Sequence, residues 1–311
     1  MRRAPRSIRA SVPELPEVET VRASLARDLV GKKIKAVAVT NGRVVRRHKS
    51  VKDFRVLVEG HTIKDVARLG KYLVIALDNA THLVIHLGMS GQLLRAKGPK
   101  DLKPKHTHAV FTLSPASELR FVDPRTFGEI FVSSPPVEGV EVEMSKFARL
   151  SIGGDGLALR AQVPELAHLG LDPLEDQFGW DRFAAILRSR ATPLKAVLTD
   201  QDILCGIGNI YADETLFNAG LRYDRPADSL STIEIRRLHR GIAEILAEAI
   251  KHGGSTLEDE QFVDPDHNPG RYQEFHQVYN REGLPCFQCR RPILRAMFRQ
   301  RSTYYCENCQ S

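Results

Sequence analysis

Cys286, Cys289, Cys306 and Cys309 form two Cys-x2-Cys pairs separated by sixteen residues. No other feature of the 311-residue chain restricts its fold as tightly. Two such knuckles offer four thiolates to one tetrahedral ion. The competing use of four cysteines is a pair of disulfides. Closely spaced pairs make poor staples, and nothing upstream reads as a secretory signal. The spacing therefore predicts a zinc ribbon holding one Zn2+. Four thiolates leave no open coordination position, so this zinc is expected to be structural. Arg290, Arg291, Arg295, Arg299 and Arg301 lie between the pairs with no acid among them, which suits contact with phosphate. The fifth cysteine, Cys205, sits in an apolar run and is expected to be a small buried residue.

Charge is concentrated elsewhere too. The net charge is +7, too small to identify a partner alone. Residues 31–71 hold twelve Lys or Arg against three acids, residues 271–311 hold seven Arg against three Glu, and residues 1–12 hold four Arg and no acid. Such local excess is expected of a phosphate-tracking surface, although a solvated lysine-rich face is the competing explanation. Hydrophobic content of 42% and charged content of 27% exclude a disordered, collagen-like or coiled-coil chain. No stretch approaches the roughly 20 apolar residues of a membrane helix.

Residues 1–12 carry no apolar period and are expected to be disordered. Pro16 suits a first helical turn. Val18, Val21, Leu25 and Leu29 follow at spacings of three and four, predicting an amphipathic helix. From Lys33 to Val132 the pattern becomes short β runs, for example 34–39, 54–58, 72–77, 83–86, 109–113 and 119–122. Gly, Asn, Asp and Pro punctuate them. Strands without intervening helices suggest a sandwich or barrel. Residues 133–175 read as a linker or insertion. Residues 176–252 are helical, with Trp180, Phe183, Ile186 and Leu187 opening one amphipathic stretch and 233–250 forming another. Gly253-Gly254 should end that helix. Residues 255–280 are polar and should form a long loop.

Five segments precede the cysteines: PELPEVET (13–20), GKYL (70–73), HLGMSGQL (86–93), DPRTFG (123–128) and GIGNIYADE (206–214). In this order, with the finger, they resemble bacterial formamidopyrimidine-DNA glycosylases over nearly everything from Pro13 to Gln310. Leu15 favours that branch over its endonuclease VIII relatives, which usually open with PEGPEI. The resemblance implies an α+β fold. An N-terminal β-sandwich with flanking helices spans 13–132, a helical helix–two-turns–helix domain with a lesion-capping loop spans 176–280, and the zinc finger spans 281–311.

The resemblance also implies site residues. Pro13 matches an N-terminal proline whose amine attacks the sugar C1′ to form a Schiff base. An α-amino group is far less basic than a lysine, so more of it is neutral and nucleophilic. Within a chain, however, the Pro13 nitrogen is an amide. Residues 1–12 are therefore expected to be absent from the working enzyme, either because translation starts at Val12 on a GTG codon or because proteolysis removes them. Their loss lowers the net charge to +3.

Glu14 matches the general acid. Lys71 matches a lysine assigned to β-elimination, and Arg301 matches the finger arginine assigned to δ-elimination. Met89, Arg125 and Phe127 match residues that fill the gap left by a flipped base. His106, Asn209, Lys195 and Arg190 are expected at the DNA backbone, with Gly206 and Gly208 letting phosphate approach a helix start. His86 and His108 are expected to be structural. Residues 255–272 occupy the lesion-capping position but are unusually acidic.

The activity implied is that of a bifunctional DNA glycosylase and abasic-site lyase. It excises oxidised purines (formamidopyrimidines and 8-oxoguanine) from double-stranded damaged DNA and then performs β,δ-elimination. Two other readings stay open: an endonuclease VIII-like enzyme for oxidised pyrimidines, and a non-catalytic zinc-finger DNA binder if residues 1–12 are retained. A monomer acting in the bacterial cytoplasm at the nucleoid is expected, without organellar targeting by residues 1–12.

Overall fold

The computed structural model describes residues 13–136, 139, 141–257 and 262–311; the extension 1–12 lies outside them. Helix α1 (Leu15–Leu29) buries Val18, Val21, Leu25 and Leu29, the stripe expected from the spacing. Pro16 stands in its first turn, and the Glu17 carboxylate accepts the Glu14 backbone N–H at 2.8 Å, satisfying a donor that a helix start leaves orphaned.

Two four-stranded antiparallel sheets follow. One has the order β1 (Ile34–Val39), β6 (Thr107–Leu113), β7 (Ser117–Val122), β5 (Gln92–Ala96). The other has the order β2 (Ile63–Leu69), β3 (Tyr72–Leu77), β4 (His82–His86), β8 (Glu129–Ser133). The second sheet is apolar on both faces. Leu73, Ile75, Leu83, Ile85 and Ile130 enter the core between the sheets. Val74, Val84 and Phe131 point the other way, onto Leu159, Val163, Leu166 and Leu169. Burying each such side chain stabilises the fold by about 1.5–3 kcal/mol. Residues 133–175, expected to be a linker, thus include α3 (Gly156–Gln162) and a layer covering this outer face.

Residues 54–58, expected to be a strand, form part of helix α2 (Val51–Val58). The Ser50 hydroxyl accepts the Asp53 N–H at 3.1 Å, and Phe54 and Val58 are buried one turn apart. The cap and the spacing of four outweigh the β-branched composition.

The C-terminal half packs α4 (Trp180–Arg188), α5 (Leu194–Thr199), α6 (Asn209–Ala219) and α7 (Thr232–Lys251) around a second core. Ser231 and Glu234 form a reciprocal capping box at the start of α7. Gly253 and Gly254 follow its end at φ +74° and +77°, where glycine avoids the Cβ clash of a left-handed backbone. Leu15 belongs to this second core, whereas Val18, Val21 and Leu25 belong to the sandwich. One helix therefore stitches both halves together. The finger hairpin β9 (Leu294–Phe298) and β10 (Arg301–Tyr305) closes the chain. No described helix is long and apolar enough to cross a membrane.

Candidate active site

The segment joining α5 to α6 wraps around the start of α1. The Leu15 N–H donates to the Gly206 carbonyl at 3.0 Å. The Glu14 carboxylate then caps α6, accepting the backbone N–H groups of Gly208 (2.7 Å), Ile210 (2.9 Å) and Tyr211 (3.3 Å). A helix N-terminus is an anion site, and here the anion is a carboxylate of the same chain. A Cβ on Gly208 would stand 2.5 Å from the Glu14 Cδ. The expectation that Gly208 makes room for phosphate is corrected: it makes room for Glu14. Pro13 is buried immediately before that glutamate.

Glu17 lies one helical turn below. Its carboxylate accepts the Ser255 N–H at 2.7 Å, the Glu14 N–H and the Tyr211 hydroxyl. Burial pushes this acid up to about 7, with help from the Glu14 charge and opposition from its three donors.

Lys71 lies within electrostatic reach of Glu14, Glu17 and Arg301. Burial is the main influence and holds its ammonium below the ordinary lysine range. Arg301 pushes the same way, and the two glutamates oppose. The Gly70 turn that presents it is held from beneath. The fully buried Arg68 guanidinium donates to the Gly70 carbonyl (2.9 Å) and to Asp172 (2.6 and 3.1 Å), while Asp172 accepts the Gly70 N–H at 2.7 Å. Asp176 accepts the Asp172 N–H at 2.7 Å and pairs with buried Arg160. Residues more than a hundred positions away thus fix the lysine's turn.

Arg301 is exposed at the start of β10. The two turn residues before it, Arg299 and Gln300, both have positive φ (45° and 63°), which makes a tight hairpin. Three residues of α6 hold this end of the chain. Asn209 donates to the Ser302 carbonyl at 2.9 Å. Asp213 accepts the Thr303 hydroxyl (2.7 Å) and the Tyr304 N–H (2.9 Å). Glu214 accepts three successive N–H groups, those of Gln277, Val278 and Tyr279, at 2.8–3.0 Å.

Lys195 was expected at phosphate. Instead its ammonium is buried against Asp213 at 2.6 Å, and desolvation lowers it from the ordinary lysine range. Arg190 is half-buried past the end of α4 with its guanidinium over Phe147 at 4.9 Å.

The sandwich contributes two packed loops. Buried Asp123 accepts the Ser90 hydroxyl (2.6 Å) and the N–H groups of Arg125 (3.2 Å) and Gly128 (2.8 Å). Gly88, at φ +65°, lies so close to the second loop that a Cβ would meet the Gly128 nitrogen at 2.5 Å. From this rigid pair, half-buried Met89, exposed Arg125 and exposed Phe127 project. Exposed His106 is tied to the same loop, its carbonyl accepting the Asp123 N–H at 3.0 Å. His108 and His86 hold backbone: Nε2 of His108 meets the Asp123 carbonyl at 2.8 Å, and Nδ1 of His86 accepts the Gly88 N–H at 3.1 Å.

The basic segment 31–71 is partly balanced within the fold. Arg46 and Arg47 pair with Glu129, Arg55 with Glu59 and Arg68 with Asp172. These four cations are therefore not wholly available to a partner.

The four finger thiols converge. Their Sγ atoms lie within 4.8 Å of one another, with Cys286–Cys309 at 3.9 Å and Cys289–Cys306 at 3.4 Å. A tetrahedron of Zn–S bonds near 2.3 Å demands about 3.8 Å between sulfurs, so the four residues fit a structural Zn2+. Gln310 bonds the Cys306 N–H and the Leu221 carbonyl, both at 2.8 Å, and so joins the knuckle to the helical core.

Known proteins resemble the chain over nearly its whole length. The N-terminal domain model of formamidopyrimidine-DNA glycosylase matches residues 12–130, its H2TH domain model matches 169–261, and a zinc finger found in FPG and IleRS matches 283–311. A formamidopyrimidine-DNA glycosylase of Thermus thermophilus is 41% identical, covering 96% of this chain and 98% of its own. One from Salinispora arenicola is 40% identical, covering 96% of each. The crystal structure of the MutM (FPG) protein from Thermus thermophilus superposes with TM-score 0.78 at 39% identity, covering 96% of this chain and 98% of its own. Lactococcus lactis Fpg in complex with DNA containing an abasic site superposes with TM-score 0.79 at 30% identity, covering 96% and 99%. The chain belongs to the formamidopyrimidine-DNA glycosylase family.

Proposed function

We propose that the protein is a bifunctional DNA glycosylase and abasic-site lyase that removes oxidised purines from duplex DNA. The observation that supports this reading is that helix α6 holds Glu14, next to buried Pro13, on its first turn and anchors the strand that begins with Arg301. The same acid and Arg301, from the finger, both act electrostatically on the Lys71 ammonium.

In this reading the Pro13 amine attacks the sugar C1′. As the C1′–N bond forms, the Glu14 carboxylate takes the proton that the amine sheds and passes it to the ring oxygen or the departing base, so that the glycosidic bond breaks, the ring opens and an iminium remains. Loss of a C2′ proton then expels the 3′ phosphate, and a second elimination expels the 5′ phosphate. Lys71 and Arg301 are the cations placed to bind these phosphates and assist the eliminations. Met89, Arg125 and Phe127 fill the stack vacated by the flipped nucleotide. The structural Zn2+ supplies no chemistry beyond fixing the hairpin that carries Arg301. The bacterial relatives support action in the cytoplasm, where the enzyme meets nucleoid DNA.

The chemistry requires a free Pro13 amine. Borohydride trapping on an abasic duplex is expected to give a covalent adduct with chain beginning at Pro13 and none with chain beginning at Met1. Failure of the Pro13 form to trap would overturn the mechanism. The same preparation is expected to excise formamidopyrimidine and 8-oxoguanine faster than thymine glycol. The reverse order would assign it to oxidised pyrimidines.

A further inference from the structure

Between β5 and β6 the chain carries Lys97, Lys100, Lys103 and Lys105, all exposed. The backbone beneath them is built rather than loose. Arg120, 2% exposed, pairs with Glu118 at 2.7 Å. Its guanidinium donates to the carbonyls of Leu102 (2.8 Å), Gly98 (3.1 Å) and Asp101 (3.2 Å). Asp101, the one acid of the loop, turns its carboxylate inward to the Lys97 backbone N–H at 2.6 Å. The Thr107 hydroxyl closes the far end on the Pro104 carbonyl at 2.7 Å. A buried cation thus organises three carbonyls so that four ammonium groups face outward.

The loop runs directly into His106, whose carbonyl is bonded to Asp123, the residue that shapes the Arg125–Phe127 loop. It is therefore continuous with the surface assigned to the flipped site. Four exposed lysines against the single acid Asp101 within the loop suit a polyanion recognised by charge and without sequence preference.

We infer that the 97–105 loop is a second phosphate-binding surface, extending the DNA footprint beyond the nucleotides around the lesion. This rests on the proposed DNA substrate. The lysines act as point charges on flexible stems, so they add affinity and salt dependence but take no part in bond cleavage.

The test compares wild type with K97S/K100S/K103S/K105S, both starting at Pro13. The probe is a duplex carrying a tetrahydrofuran abasic analogue, titrated by fluorescence anisotropy at several salt concentrations. Each lost phosphate contact lowers the slope of log affinity against log salt by about 0.9. The variant is expected to lose about two to four from that slope and at least tenfold in low-salt affinity, with the single-turnover cleavage rate at saturating enzyme unchanged. Its hydroxyl-radical footprint should shorten on one side of the lesion. Weaker binding with an unchanged footprint would assign the effect to net charge and overturn the inference, as would an unchanged slope. If wild type itself neither binds nor cleaves damaged duplex, the proposed function fails first.

Discussion

Two glycine-bearing regions of the molecule use their residues in opposite ways. In the loops 87–91 and 123–128 the buried group is Asp123, which fixes backbone, while Arg125 and Phe127 point out. In 206–214 the side chains turn inward: Tyr211 to Glu17, Asp213 to Lys195 and the finger, Glu214 to residues 277–279. The glycines differ accordingly. Gly88 and Gly128 let two backbones touch, whereas Gly208 admits the Glu14 carboxylate. The first region leaves its side chains exposed on a rigid backbone; the second ties α1, the helical domain and the finger together. Substitutions should therefore separate into those that cost stability and those that cost only DNA recognition.

The largest stability effect is expected at Asp213. Asp213→Ala leaves the buried Lys195 ammonium without its partner and removes two anchors of β10. Breaking a buried pair this way costs about 3–5 kcal/mol. Denaturant unfolding should show that loss, and Lys195→Met in the same background should restore part of it by removing the stranded charge. A change below about 1 kcal/mol, the size of an ordinary surface effect, would place 206–214 with the presenting loops.

Glu17 gives the next effect, read through pH. Its carboxyl titrates near 7 in the fold because of burial, above its ordinary 4.5. The native state therefore holds a proton that the unfolded chain has released between pH 4.5 and 7. Stability from this group is fully present below that window and is lost as pH rises through it, by about 3 kcal/mol. Unfolding free energies at about pH 5 and pH 7.5 should differ accordingly in wild type, and the difference should shrink in Glu17→Gln. An equal pH dependence in both proteins would sink the assignment.

This inward logic explains what could be read from the chain beforehand. The finger was legible because metal ligation imposes a spacing. The strands were legible because a sandwich imposes alternation or, in β3, a two-sided apolar run. The site residues resembled a known pattern, yet their partners left no local trace: Arg68 and Asp172 are 104 positions apart. Lys195 and Gly208 look phosphate-facing in the sequence because a lysine and a glycine-rich helix start look the same whether the anion is DNA or a carboxylate of the chain itself. Only the geometry shows that Asp213 and Glu14 already occupy those places.

The smallest stability effect, and the sharpest contrast, is expected at Phe127. Its side chain is 49% exposed, and the loop beneath it is held by Asp123 contacts to Ser90, Arg125 and Gly128 rather than by the ring. Phe127→Ala should change unfolding free energy by no more than about 0.5 kcal/mol. On DNA the exposed half of the ring would enter a base stack and be desolvated, a gain of about 1–2 kcal/mol. Affinity for a tetrahydrofuran duplex should thus fall roughly tenfold while the fold is unchanged. Arg125→Ala should behave alike, because its guanidinium projects from the same rigid turn. If Phe127→Ala instead destabilises the protein as Asp213→Ala does, the ring belongs to the core and the distinction between presenting and assembling regions fails.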